Sequence, residues 1–197
     1  MFESFGKWLY DWQTLVTGVL GFSAGIGTVW WTLTSEARNA KRSRDEEINS
    51  LRHALGAEIR QIGYRALQAH KECEALAARG EFTIQQIENT VRFPDPIIYP
   101  AIAGRLGLLG DAAYQVVYFF SCIAMANQGV ARMRRSSENK FHPQNAVDVA
   151  GALLVAASAA VPVLPLLRVG VADEKSDAGF IKDLEVAKGV WEQKTRI

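Results

Sequence analysis

Residues 12–34 read WQTLVTGVLGFSAGIGTVWWTLT, from Trp12 to Thr34, without a single charged side chain. At about 1.5 Å per residue the run reaches about 34 Å, enough for a hydrocarbon core of about 30 Å. A soluble helix would show a polar stripe, whereas here Gln13 lies near one end and the rest is apolar with scattered Thr and Ser. Those hydroxyls can return to the carbonyl one turn earlier, which makes them tolerable in lipid. Trp8, Tyr10 and Trp12 mark one end and Trp30 with Trp31 the other, as interfacial aromatic belts do. A cleaved leader fits poorly, because Glu3 and Asp11 interrupt a basic start and no small-x-small site follows. The expectation is one retained transmembrane helix over 12–34.

The flanks give this span a direction. Glu3, Lys7 and Asp11 precede it, while Arg38, Lys41, Arg42 and Arg44 follow. Basic residues favour the cytoplasmic side, so residues 1–11 are expected outside or at the interface and the bulk of the chain in the cytoplasm. Gly18, Gly21 and Gly25, continued by Thr28, form one small-residue face on which a second helix can approach closely.

From Ser43 to Arg79 no proline occurs, and Ile48, Leu51, Leu55, Ile59, Ile62, Ala66, Ala69, Cys73 and Leu76 recur at steps of three and four. This near-heptad stripe predicts a long amphipathic helix over 35–80, covered either by its own domain or by a neighbouring subunit. Gly56 and Gly63 weaken it as a free-standing coiled coil, and Gly80 supplies a stop. Thr83 to Gln86 has the form of a capping box, with Phe82 and Ile87 placed as its hydrophobic staple. Residues 92–100, RFPDPIIYP, cannot be helical, since three prolines remove donors and extend their predecessors. Pro100 can open a short helix, and Asp111 precedes a long apolar one ending in Arg132, Arg134 and Arg135.

Residues 147–168, VDVAGALLVAASAAVPVLPLLR, admit two readings. Val149 to Leu167 carry no charge and could form a second span. Alanine dominance, Pro162 and Pro165, and the lack of aromatic belts instead favour a helix buried in a bundle. The last segment, Asp177 to Thr195, places Phe180, Leu184, Ala187 and Trp191 on one face. The fold expected is therefore all-α: a single transmembrane helix, a long amphipathic helix, and a cytoplasmic helical bundle over 81–197.

The WQTL span with its basic exit, the Ala-rich helix and the later IYPAIAGRLGLLG…VVYFF segment (Ile98 to Phe120) resemble a loose group of uncharacterised bacterial membrane-anchored proteins. The resemblance covers most of the chain in order. It implies a bacterial inner-membrane location and no activity, so no functional residue is carried over.

Composition constrains the chemistry further. A net charge of +1 argues against a dedicated nucleic-acid binder. Cys73 and Cys122 form no CxxC pair. His70, Cys73 and Glu74 are helical neighbours with ligand-like spacing, but a closed zinc site takes about four ligands and His53 and His142 are not evidently near. No P-loop, GxGxxG, HExxH or EF-hand pattern occurs. The span lacks any ionisable residue, which disfavours ion transport. The expected function is a non-enzymatic, membrane-tethered interaction or scaffold protein with no cofactor. Its partners would be the bilayer and a protein or second copy, met through the span and the Ile48–Leu76 stripe. The alternatives are an accessory subunit of a larger membrane complex and, less favoured, a metal- or thiol-dependent enzyme at His70 and Cys73.

Overall fold

The computed structural model of the chain describes the backbone of residues 2–80, 83–136, 143–168 and 171–195. Before residue 22, side chains are described only for Trp12, Thr17 and Leu20; later, those of 133–136, 143, 171, 172, 194 and 195 are not. Every described element is helical: α1 (Phe2–Arg79), α2 (Ile84–Thr90), α3 (Ile98–Ile102), a 3-10 stretch (Ala103–Leu109), α4 (Ala112–Ser136), α5 (Pro143–Ser158), α6 (Leu164–Leu167) and α7 (Val171–Thr195). The chain divides into two compact units, residues 1–47 and 48–197.

The first unit is helix alone. The helix already runs from Phe2 and continues through residue 34 without a break. No Pro occurs before Pro94, and nothing else in the span forces a stop. Gly80, at φ +75°, ends α1 as expected, because only glycine enters that region without strain.

The second unit is a helical bundle. Leu55, Ile59, Ile62, Ala66, Ala69 and Cys73 of α1 are all buried. The stripe is thus covered by the chain's own helices. One part of the core joins its first half to Phe119 of α4, Leu154 of α5, Leu164 of α6 and Phe180 of α7. The other joins Ala69 and Cys73 to Ile87, Ala126, Val149 and Leu153. Of the two glycines that weaken the stripe as a coiled coil, Gly63 serves as a notch here, while Gly56 sits at ordinary contact distance from its neighbour. A methyl group on Gly63 would meet Phe180 Cζ at 3.1 Å, and one on Gly56 would meet Leu167 Cβ at 3.6 Å.

Residues 149–167 belong to this core. Val149, Ala150, Leu153, Ala156, Ala157, Ala160, Val163, Leu164 and Leu167 are buried. Helix α5 stops at Ser158, where Pro162 removes the amide that would continue the ladder, and tight turns lead to α6 with Pro165 in its first turn. Its 16 residues fall short of the roughly 20 that a crossing needs.

The capping box forms as expected: Thr83 Oγ1 accepts from Gln86 N at 3.3 Å, and Gln86 Oε1 accepts from Thr83 N at 2.8 Å. Phe82, the other half of the proposed staple, and the loop 137–142 lie outside the described residues. Residues 92–96 take no regular structure, but Ile98, Tyr99 and Pro100, expected to be non-helical, belong to α3, which starts two residues before Pro100. An acceptor from elsewhere permits that earlier start. The Glu58 carboxylate on α1 accepts hydrogen bonds from the amides of Ile97, Ile98 and Tyr99 at 2.5, 2.8 and 2.9 Å. It satisfies donors that a helix N-terminus leaves open.

Candidate functional site

In the first unit the expected anchor residues stand exposed. Phe22, Trp30 and Trp31 are 72%, 69% and 69% exposed, and Trp12, Ile26, Val29 and Leu33 are more than half exposed. A shallow groove of about 560 Å³ runs over Gly25 between Phe22, Ile26, Val29, Trp30 and Leu33. A methyl group on Gly25 would meet nothing within 4 Å, so this position is open to an approaching surface. The hydroxyls turn inward along the helix. Thr28 donates to Ala24 O at 2.8 Å, Thr32 to Thr28 O at 2.9 Å, Thr34 to Trp30 O at 2.8 Å and Ser35 to Thr32 O at 2.9 Å. Each of these four hydroxyls therefore satisfies its donor within the helix. Arg38, Lys41, Arg42 and Arg44 are exposed, with Arg42 paired to Glu46 at 2.9 Å. Of the expected anchors and contact residues, Trp8, Tyr10, Gly18 and Gly21 lie outside the described side chains.

Among the described residues, no helix is long and apolar enough to cross a membrane. Residues 13–16, 18, 19 and 21 of the Trp12–Thr34 run are not among the described side chains.

The second site suggested by spacing, His70 with Cys73 and Glu74, is a closed piece of core. His70 is fully buried, its Nδ1 lies 2.9 Å from Ala150 O, and its Nε2 lies 3.6 Å from Glu74 Oε2. A carbonyl can only accept, so Nδ1 carries the proton of that bond. The ring also meets Trp191 edge to face, centroids 5.4 Å apart. Burial, with the Glu72 charge adding to it, pushes the Cys73 thiol up to about 12. A thiol held that high is a poor nucleophile near neutral pH. Among the described residues no group of three or more His, Cys, Asp or Glu is arranged to hold a metal ion.

A polar seam between α1 and α7 was not foreseen. Arg60 Nε donates to Asp177 Oδ1 at 2.9 Å and Arg60 Nη2 to Asp173 Oδ1 at 3.3 Å. His53 Nδ1 lies 3.3 Å from Asp173 Oδ2, and Arg168 Nε lies 3.5 Å from Asp177 Oδ2. The Asp177 side chain is fully buried. Next to it, the Tyr64 hydroxyl is held above its ordinary range by burial first, then by the Asp183 and Asp177 charges, with Arg60 opposing. Opposed charges in this seam offset one another. The seam fastens α7 to α1. Its signature was present: Asp173 and Asp177 extend the spacing of Phe180, Leu184, Ala187 and Trp191 backwards, an apolar stripe that starts with two acids.

The chain matches no family model, no curated protein and no solved structure. Its function has to be argued from its own residues.

Proposed function

We propose that this chain is a membrane-tethered helical protein without catalytic activity. The first part of α1 is its lipid anchor, and residues 48–197 form a bundle kept at the cytoplasmic face of a bacterial inner membrane. The observation that carries this proposal is the exposure of Phe22, Ile26, Val29, Trp30, Trp31 and Leu33 together with the inward-turned hydroxyls of Thr28, Thr32, Thr34 and Ser35. At about 1.5–3 kcal/mol for each large apolar side chain, leaving these six in water forgoes on the order of 10 kcal/mol. Patches of that kind mark a membrane or protein contact. Three features favour lipid as the cover. The run carries no charge on any side, the hydroxyls of Thr28, Thr32, Thr34 and Ser35 bond within the helix, and exposed Arg38, Lys41, Arg42 and Arg44 follow Trp30 and Trp31 in the order of an interface. From Trp12 to Thr34 the run is 23 residues, about 34 Å as a helix.

Fractionation of cells expressing the full chain tests this. Membranes washed with alkaline carbonate should retain the protein, and detergent should release it. Ile26→Arg with Val29→Arg, at about 2.5–3.5 kcal/mol per charge placed mid-span, should shift it to the soluble fraction. Recovery of the unaltered chain, folded, in the carbonate or salt wash would overturn the proposal.

A further inference from the structure

Helix α4 is apolar on two sides. Val116, Phe119, Cys122, Ile123, Ala126 and Val130 face the core. On the opposite side Tyr114, Tyr118 and Met125 are 71%, 44% and 60% exposed. These three share one helical face with Gly129 and with exposed Arg132, and Asp111, immediately before the helix, continues that face. From Asp111 through Tyr114, Tyr118, Met125 and Gly129 to Arg132 the steps are 3, 4, 7, 4 and 3, the same from either end. A stripe with palindromic spacing meets itself in register when two copies pack antiparallel about a two-fold axis.

The residues brought opposite each other are complementary at every level of that stripe. Asp111 faces Arg132 of the second copy, an unlike pair repeated at both ends. Tyr114 faces Gly129, over which a methyl group would meet nothing within 4 Å, so a ring finds a flat seat there. Tyr118 faces Met125, an aromatic ring against a thioether. The rings are ordered before any contact: Tyr114 and Tyr118 stack with centroids 6.5 Å apart and 13° between planes, and the Tyr118 hydroxyl is hydrogen-bonded to Cys122. A parallel pairing would set Asp111 against Asp111 and Arg132 against Arg132, and it loses both charge pairs. We infer that the outer face of α4 is a self-association surface, on which a second copy of this chain packs α4 antiparallel to α4. Tyr, Met and Arg are also the residues enriched at the centres of protein interfaces. The stripe is about 32 Å long and one helix wide, at the small end of specific interfaces. No residue of the first unit takes part, so the inference stands apart from the membrane proposal.

The full chain, purified in mild detergent, is the material for the test. Ser121 lies at the centre of the stripe, beside the two-fold axis. Ser121→Cys should form a covalent dimer on mild oxidation, while Val186→Cys, also at an exposed position, on α7, should not; the native thiols are buried. Asp111→Arg alone and Arg132→Asp alone should each weaken dimerisation about tenfold by sedimentation, since each turns two attractive pairs repulsive. Mixing those two variants should restore it, because both unlike pairs re-form between the two chains. The inference is overturned if the chain remains monomeric at all concentrations while keeping its helical circular dichroism. It is also overturned if Ser121→Cys links no better than Val186→Cys, or if charge exchange has no effect, or if mixing fails to restore the dimer.

Discussion

Along α1, Phe22, Ile26, Val29 and Leu33 follow one another by steps of 4, 3 and 4, and Leu55, Ile59, Ile62 and Ala66 repeat those steps. The first four are more than half exposed, and the second four are buried. Periodicity alone says that a face wants covering; it does not say what covers it. The other side of the helix distinguishes the two stretches. Around the second, Arg52, Glu58, Arg60 and Arg65 supply a polar face, so only one stripe has to leave water. Around the first, within residues 12–34, there is no charge at all. One helix thus carries one segment that the chain itself buries and another that it does not.

The comparison is sharpest where the burial is deepest. Phe180 of α7 is fully buried, meets the edge of Tyr64 at 4.9 Å between centroids, and fills the notch left by Gly63. Phe180→Ala should therefore destabilise the second unit by about 3–5 kcal/mol. Urea unfolding followed through Trp191, the only tryptophan in that unit, reads this loss directly. A loss below about 1 kcal/mol would mean that α7 contributes little to covering the stripe.

A smaller effect is expected at Glu58, where the polar face of the second stretch has a structural duty. Its carboxylate holds three consecutive amides at Ile97, Ile98 and Tyr99 after the proline connector. Glu58→Ala should cost about 1.5–3 kcal/mol, the usual range for hydrogen bonds to a charged group. Hydrogen exchange at those amides should rise in step. Unchanged exchange there would show that Pro94 and Pro96 suffice to set the turn.

These two sites also mark where the sequence was legible and where it was not. The stripe, the capping box at Thr83, the stop at Gly80 and the Phe180–Trp191 face depend on neighbours three or four residues apart, so spacing discloses them. The burial of residues 149–167 followed from alanine content and two prolines, which are local as well. Glu58 meets its amides about 40 residues on, and Arg60 meets Asp177 at a separation of 117. Nothing local distinguishes these two charges from the solvated Arg42–Glu46 pair, which the sequence presents in the same way. Contacts of long range are decided by packing, and packing is what a pattern of single residues omits. His70 illustrates the converse error: its spacing to Cys73 and Glu74 suggests a ligand set, yet burial assigns its Nδ1 to a backbone carbonyl and raises the neighbouring thiol.

The smallest effect is expected where exposure is greatest. Ile26→Ser with Val29→Ser alters two side chains that are 54% and 60% exposed and that border an open groove. Neither belongs to the core of the second unit, so the urea midpoint read by Trp191 should shift by no more than about 0.5 kcal/mol equivalent. Serine in a helix returns its hydroxyl to the preceding turn, as Ser35 does here to Thr32 O, so helix content should hold as well. The pair removes apolar area without adding charge, and it separates two roles that charged substitutions would confound. If the second unit unfolds markedly earlier, the two stretches of α1 share one cooperative core and the contrast between them fails. If its stability is unchanged while membrane retention falls, the first stretch has no structural duty toward the bundle, and its apolar surface belongs to the solvent it is placed in.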